Sequence, residues 1–188
     1  MINCIKPRKP LTRNLQKYQG KPFGSTDLYM NNITLDSYIE FGKEADHDSF
    51  ALIRNGEIST VMAVKISDLG TVMDYLRDKI SIHENCKKLG EDEKCLFIEF
   101  LNRNSECSSI TKGDGRIMIN WLKKQSKKMN INIISLEADG VNPMKLASNY
   151  YQSELGFVRC SDIYQTDGWP GELIFMVCDL SKNFIPPS

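Results

Sequence analysis

The strongest constraint on the fold of this chain is a run from residue 95 to residue 157 in which strand-like and helix-like patterns alternate. Cys95–Leu101 and Ile131–Ala138 are apolar runs of strand length, and Ile117–Met129 between them repeats apolar residues at helical spacing. Two strands joined through a helix are expected to run parallel, with a right-handed crossover. The pattern therefore predicts an α/β fold with a parallel strand pair at its centre.

Hairpins are predicted on both sides of this central region. Asn55-Gly56 separates two apolar runs, and this dipeptide suits a type I′ turn, in which both central residues take a positive φ. A closing hairpin is predicted over residues 157–180, after a helix that ends at Gly156 in the left-handed conformation. The hairpins make the predicted sheet mixed. Further helices are predicted over residues 34–41, 69–82 and 144–155.

Length and charge define the class of protein. The chain has 188 residues, 41% of them hydrophobic, which suits a domain of ordinary size. Lys plus Arg and Asp plus Glu both number 24, so the net charge gives no argument for nucleic acid or an anionic membrane. No apolar run reaches the length of a membrane span, and no signal peptide is evident. We therefore expect a cytoplasmic protein, with an irregular basic arm over residues 1–33 and one domain over residues 34–188.

Cysteine and histidine usage argues against metal binding. The chain has six cysteines and two histidines, and no two cysteines form a CxxC pair. His47 and His83 are interpreted as surface-loop residues, and no metal site is predicted. Cys95 and Cys178 lie in apolar runs and are predicted to be reduced core residues. A disulfide framework is not expected at this length and with this scatter.

Three features could carry chemistry. Gly113-Asp114-Gly115 lies between a strand and a helix, where first-turn N–H groups can hold a phosphate, although a tight turn with Asp114 near the N-cap explains it as well. Glu99 is a lone carboxylate in an apolar strand and suits either a general base or a surface position. Tyr150 and Tyr151 suit either a general acid or the packing of a helix on the sheet.

The order of these parts resembles the GNAT superfamily of acetyl-coenzyme A-dependent N-acetyltransferases. The resemblance covers about residues 95–180, and the hairpin at 50–66 matches the family's preceding strand pair. The family's phosphate loop reads Arg/Gln-x-x-Gly-x-Gly/Ala and corresponds to Ile110–Gly115. Both glycines match, whereas Ile110 and Asp114 depart from the pattern.

The closing helix of the family offers a second match. It typically reads Ala-x-x-x-Tyr-x-x-x-Gly-Phe, to which Ala147, Tyr151 and Gly156-Phe157 correspond, with one extra residue before the glycine. The resemblance implies a mostly antiparallel twisted sheet with a central splayed parallel strand pair and helices on both faces. Residues 68–93 are then a helical insertion that shapes substrate specificity or a homodimer interface.

The resemblance also implies an activity, which is transfer of an acetyl group from acetyl-CoA to a primary amine of a small molecule or protein by direct attack. Glu99 would be the base, and Tyr151, preferred over Tyr150, would be the acid. Lys112 and Arg116 could offset the charge of Asp114. The residues expected to bind the cofactor are Phe100, Leu101, Asn102, Lys112, Gly113, Asp114, Gly115, Arg116 and Asn142.

Two other functions remain open from the sequence. The departures at Ile110 and Asp114 favour a non-catalytic GNAT-like module that binds acyl-CoA or a protein partner. The basic arm favours an acetyltransferase that acts on a macromolecule, such as a protein amine or charged tRNA.

Overall fold

The computed structural model describes residues 1–4, 35–77, 81–104, 107, 113–139, 147–166 and 169–181. Their contacts separate into two compact units. Unit 1 comprises Met1–Lys65 and Glu99–Ile119, and unit 2 comprises Ile66–Ile98 and Asn120–Ser188. The predicted boundary at residue 33 and most of the basic arm lie outside the described residues. No helix in the described ranges is long and apolar enough to cross a membrane.

The described elements follow one another as strands and short helices. In chain order they are β1 (Ile2–Cys4), α1 (Leu35–Phe41), β2 (His47–Arg54), β3 (Glu57–Asp68), α2 (Leu69–Arg77), α3 (Glu84–Lys87), β4 (Lys94–Arg103), α4 (Asp114–Lys128), β5 (Ile133–Asp139), α5 (Ala147–Leu155), β6 (Val158–Arg159), β7 (Tyr164–Thr166) and β8 (Trp169–Asp179). Strands β3 and β4 and helix α4 each have residues in both units.

Unit 1 is built on antiparallel strands. Strand β2 pairs with β1 on one side and with β3 on the other. The hairpin between β2 and β3 confirms the prediction, because Asn55 and Gly56 take φ values of 47° and 80°. Strand β1 was not predicted, since three residues carry too little pattern to identify a strand.

The core of unit 1 forms where α1 packs on the hairpin. Tyr38 of α1 is fully buried, and the Ser49 hydroxyl donates to its carbonyl oxygen at 2.9 Å. Asn104 follows β4 and is held to β3, since its side-chain amide donates to the Ile58 carbonyl at 2.7 Å. The buried cluster and the residues packed against it are Tyr38, Ala51, Ile58, Val61, Ala63, Ile39, Phe41, Ile53 and Phe100.

Unit 2 contains the parallel pair. Cys95–Ile98 of β4 lie opposite Ile133–Leu136 of β5, as the sequence predicts. Strand β8 pairs antiparallel with β5, β6 and β7, so the sheet is mixed and mostly antiparallel. Strands β7 and β8 pair within the closing hairpin that the sequence predicts over residues 157–180, and β8 begins at Trp169.

The segment predicted as an insertion, residues 68–93, contributes to the core of unit 2. Helix α2 buries Leu69 and Met73 in a cluster that also contains Phe175 of β8. Gly70 lets the helix approach the chain closely, since a Cβ there would lie 2.9 Å from the Glu91 carbonyl oxygen. The segment is therefore part of the core of unit 2.

A second helix of unit 2, α5, is closed at its C-terminal end by two features. Gly156 takes φ 71° and confirms the predicted left-handed cap. The Lys123 amine of α4 donates to the carbonyl oxygen of Leu155, the last residue of α5, and lies 5.7 Å from the centroid of the Phe157 ring. A cation at the end of a helix is favourable because the helix dipole is negative there.

The cysteine prediction was wrong for one pair. Cys86 of α3 and Cys160 form a disulfide, with their Cα atoms 5.6 Å apart. Backbone pairing brings these distant positions together, because the His83 amide donates to the Cys160 carbonyl at 2.8 Å. Cys95 and Cys178 are free and buried, as predicted.

The disulfide is expected to stabilise the fold because it closes a loop with a sequence separation of 74 residues. Replacing Cys86 and Cys160 together by Ser should lower the free energy of unfolding by about 2–5 kcal/mol, measured by urea titration. Adding dithiothreitol should destabilise the wild-type protein and leave the double variant unchanged. Equal sensitivity of both proteins to the reductant would contradict the disulfide.

Candidate functional site

The predicted phosphate loop is found at the start of helix α4. Gly113 precedes the helix and takes φ 106°, a conformation that side chains disfavour. The Ile117 amide donates to the Gly113 carbonyl at 3.0 Å, which makes Gly113 the N-cap of a helix of 15 residues. The amides of a first helical turn point along the axis at the positive end of the dipole. This arrangement is suited to an anion.

The charge of Asp114, the first residue of α4, is neutralised within unit 1. Its side chain is only 2% exposed, and its Oδ1 atom lies 2.8 Å from Nη2 of Arg54 at the end of β2. The sequence suggested Lys112 and Arg116 for this role. Arg116 is exposed, and Lys112 lies outside the described residues. Arg54 was missed because 60 residues separate it from Asp114 along the chain.

The second half of β4 lies beside this helix start. A Cβ at Gly115 would be 3.8 Å from the Leu101 Cδ2 atom, an ordinary contact. The side chains of the residues on either side of Leu101, Phe100 and Asn102, make contacts within unit 1. Asn102 is buried and donates to the Tyr38 hydroxyl at 2.6 Å, while Phe100 packs edge-on against Tyr38 and Phe41. Any contact of Phe100 and Asn102 with a cofactor would therefore be made by their backbone.

Glu99 on β4 has a histidine beside it. Its side chain is 26% exposed, and its Oε1 atom lies 3.9 Å from Nε2 of His47. The surface-loop prediction for His47 was wrong, since His47 is the first residue of β2 and its side chain is only 7% exposed. Its burial depends on tertiary contacts, including an edge-on contact with the Phe41 ring at 4.3 Å, which no local sequence pattern indicates.

Tyr151 lies on α5 in unit 2. Its ring packs edge-on against Phe157 at 5.6 Å and against Tyr150 at 5.9 Å. Burial, with a smaller contribution from Tyr150, raises the pKa of Tyr151 to about 12, so its phenol stays protonated at neutral pH. A general acid needs this state.

The structure brings most of the candidate residues into unit 1. They are Glu99, Phe100, Leu101, Asn102, Gly113, Asp114, Gly115 and Arg116. Tyr151 belongs to unit 2, and Asn142 lies outside the described residues. Within the ranges described, no group of three or more His, Cys, Asp or Glu side chains could hold a metal ion.

The solved structures of similar fold include several acetyltransferases. The ribosomal-protein-S18-alanine N-acetyltransferase of Escherichia coli aligns over 98% of this chain and 97% of its own, with 15% identity and a TM-score of 0.56. Arabidopsis thaliana NAA60, in complex with acetyl-CoA, aligns over 95% of this chain and 99% of its own, with 15% identity and a TM-score of 0.58.

A third similar structure is a GNAT family acetyltransferase from Elizabethkingia anophelis with acetyl-CoA bound. It aligns over 96% of this chain and 97% of its own, with 12% identity and a TM-score of 0.56. No protein-family model matches the chain, and no curated protein matches it. The chain has the fold of the GNAT superfamily, as its sequence predicts.

The ion pair between Arg54 and Asp114 is expected to stabilise the start of α4. Arg54→Met should lower the free energy of unfolding by about 1–3 kcal/mol, a value reduced from that of a fully buried pair because the Arg54 side chain is 36% exposed. In a double-mutant cycle with Asp114→Asn, urea titration should give a coupling energy of about 1–2 kcal/mol. The exposed pair of Lys43 with Glu40 is the control, with about 0.5 kcal/mol or less. Equal coupling in both cycles would contradict the account.

Tyr151 is expected to make stability depend on alkaline pH. Its pKa is about 12 in the folded protein and near its ordinary value of about 10 in the unfolded chain. Its contribution is therefore complete below about pH 10 and is lost as the pH rises towards about 12. Tyr151→Phe keeps the ring and should reduce this fall in the free energy of unfolding. The exposed tyrosine substitution Tyr75→Phe is the control, and an unchanged decline in Tyr151→Phe would refute the assignment.

Proposed function

We propose that this protein is an N-acetyltransferase that transfers an acetyl group from acetyl-CoA to a primary amine of a small molecule or protein. The observation that carries the proposal is the start of α4, where Gly113 takes φ 106° and the Asp114 carboxylate pairs with Arg54. Two acetyltransferases of similar fold hold acetyl-CoA in their solved structures, which supports the choice of cofactor.

The residues at this helix start fit a pyrophosphate. Gly113 permits the backbone conformation of the loop, and Gly115 places no side chain in front of the first turn. The Asp114 charge, which would otherwise repel an anion, is neutralised by Arg54. The amides from Lys112 to Arg116 would hold the pyrophosphate, while the backbone of Phe100–Asn102 and Asn142 would contact the rest of the cofactor. Acetyl-CoA would supply an acetyl group activated as a thioester.

The chemical role of the chain's own residues would be to move protons. An amine is protonated at neutral pH and must lose a proton before it can attack a carbonyl carbon. Glu99 would accept that proton on its carboxylate, for which its partly buried position on β4 is suited. Tyr151, whose phenol is protonated at neutral pH, would give its proton to the departing sulfur and regain one from the attacking nitrogen, which loses a second proton as the amide forms.

Binding of acetyl-CoA tests the proposal. Calorimetric titration should show micromolar affinity for the wild-type protein and a loss of about tenfold or more in Gly115→Trp. The indole would occupy the space in front of the first turn, where the backbone amides point. Asn120→Trp is the matched control, because it adds the same side chain to an exposed position of the same helix and should bind normally.

A panel of primary amines, followed by mass spectrometry, completes this test. A gain of one acetyl group on any amine would support the transferase. Binding without acetylation of any amine would favour the non-catalytic acyl-CoA module. Absence of binding by the folded wild-type protein would contradict the proposal and favour a protein-interaction module.

A further inference from the structure

We propose that His47 and Glu44 carry protons from Glu99 to the solvent. The inference rests on the proposed function, in which Glu99 accepts a proton from the acceptor amine. A partly buried base must return that proton to water before the next turnover. His47 and Glu44 are suited to this because Nε2 of His47 lies within 3.9 Å of both carboxylates and the Glu44 side chain is mostly exposed.

The imidazole of His47 lies between two carboxylates. Its Nε2 atom is 3.9 Å from Oε1 of Glu99 and 3.6 Å from Oε2 of Glu44. The side-chain exposure is 26% for Glu99, 7% for His47 and 68% for Glu44. A proton taken from Glu99 by His47 can therefore leave through a carboxylate that is in direct contact with water.

The other ring nitrogen fixes the tautomer of His47. Nδ1 lies 2.8 Å from the Ala45 carbonyl oxygen, which can only accept a hydrogen bond. The proton of the neutral ring is therefore on Nδ1, and the lone pair is on Nε2, which lies within 3.9 Å of both carboxylates. The edge-on contact with Phe41 restricts rotation of the ring. These contacts leave Nε2 as the proton-accepting nitrogen of the neutral ring.

The route moves one proton and changes no other bond. An N–H bond of the acceptor ammonium breaks as an O–H bond forms on Glu99. That O–H bond breaks as Nε2–H forms on His47, giving the imidazolium, which then returns to neutral by passing the proton to Glu44 and water. Both gaps exceed a hydrogen bond, so each transfer needs a small side-chain rotation or a bridging water.

The charged surroundings of His47 include Lys65, a cation. Glu44 precedes β2 and Glu99 lies on β4, while Lys65 of β3 is opposite His47 in the β2–β3 ladder. Asp46 and Asp48 flank His47 in the chain. His47 acts on the reaction through Glu99, whose proton it takes, so its removal should change the pH dependence of the reaction as well as its rate.

The pH profile of kcat tests the route, because the return of a proton to water after acetyl transfer limits kcat and not kcat/KM. His47→Gln should lower kcat about tenfold and change its dependence on pH, with kcat/KM nearly unchanged. His83→Gln, which changes the chain's other histidine, should keep the wild-type rate and profile. Free imidazole added to His47→Ala should restore part of the rate, which a purely structural role would not allow.

Ring ¹⁵N NMR of the wild-type protein tests the same proposal without an activity assay. The protein measured carries no substitution that could disturb its folding. The His47 signals are identified by comparison with His83→Gln and should show the neutral ring protonated on Nδ1. A proton on Nε2, or an active His47→Gln enzyme with the wild-type profile, would overturn the route and leave the acetyltransferase proposal intact. Failure of the wild-type protein to bind acetyl-CoA would overturn the proposed function, and the route would fall with it.

Discussion

The candidate site depends on one electrostatic constraint, which is that a buried carboxylate at the start of α4 must be neutralised. Asp114 meets this constraint through Arg54, with 2.8 Å between their charged atoms. Arg54 is the last residue of β2 and directly precedes the Asn55-Gly56 turn. The register of the hairpin therefore determines where its guanidinium lies. Within unit 1, the ion pair thus depends on the Asn55-Gly56 turn, and the first turn of α4 depends on the ion pair.

The residues around Glu99 also depend on helix α1. A helix of seven residues is too short to be stable alone, so packing must hold it. Tyr38 supplies this packing, because its ring is buried and its hydroxyl accepts a hydrogen bond from Asn102 of β4. The same helix places Phe41 against the His47 ring. The residues around Glu99 are thus held by packing as well as by backbone pairing.

The features that were predicted correctly from the sequence are those with a local physical cause. Asn55-Gly56 and Gly156 identify left-handed turns because few other residues take a positive φ. The apolar runs at β4 and β5 predict a parallel pair because a helix separates them. The apolar pattern of α4 begins at Ile117, three residues after the helix itself, since Asp114 and Gly115 interrupt the apolar pattern although their backbone is helical.

The features that were missed depend on residues far apart in the chain. The ion pair of Arg54 with Asp114 and the disulfide of Cys86 with Cys160 span sequence separations of 60 and 74 residues. His47 has no local signal either, because its burial needs the Phe41 ring beside it and its relation to Glu99 needs β4. Local periodicity cannot specify which distant side chains meet once the strands have paired.

The central claim is that the first turn of α4 holds the pyrophosphate of acetyl-CoA. The most direct measurement is an NMR titration of the ¹⁵N-labelled protein with coenzyme A, followed at individual backbone amides. The account predicts that the amides of Gly113–Arg116 shift most strongly and that titration with pantetheine, which lacks the pyrophosphate, leaves them nearly unchanged. Binding of coenzyme A that leaves these amides unshifted would contradict the account.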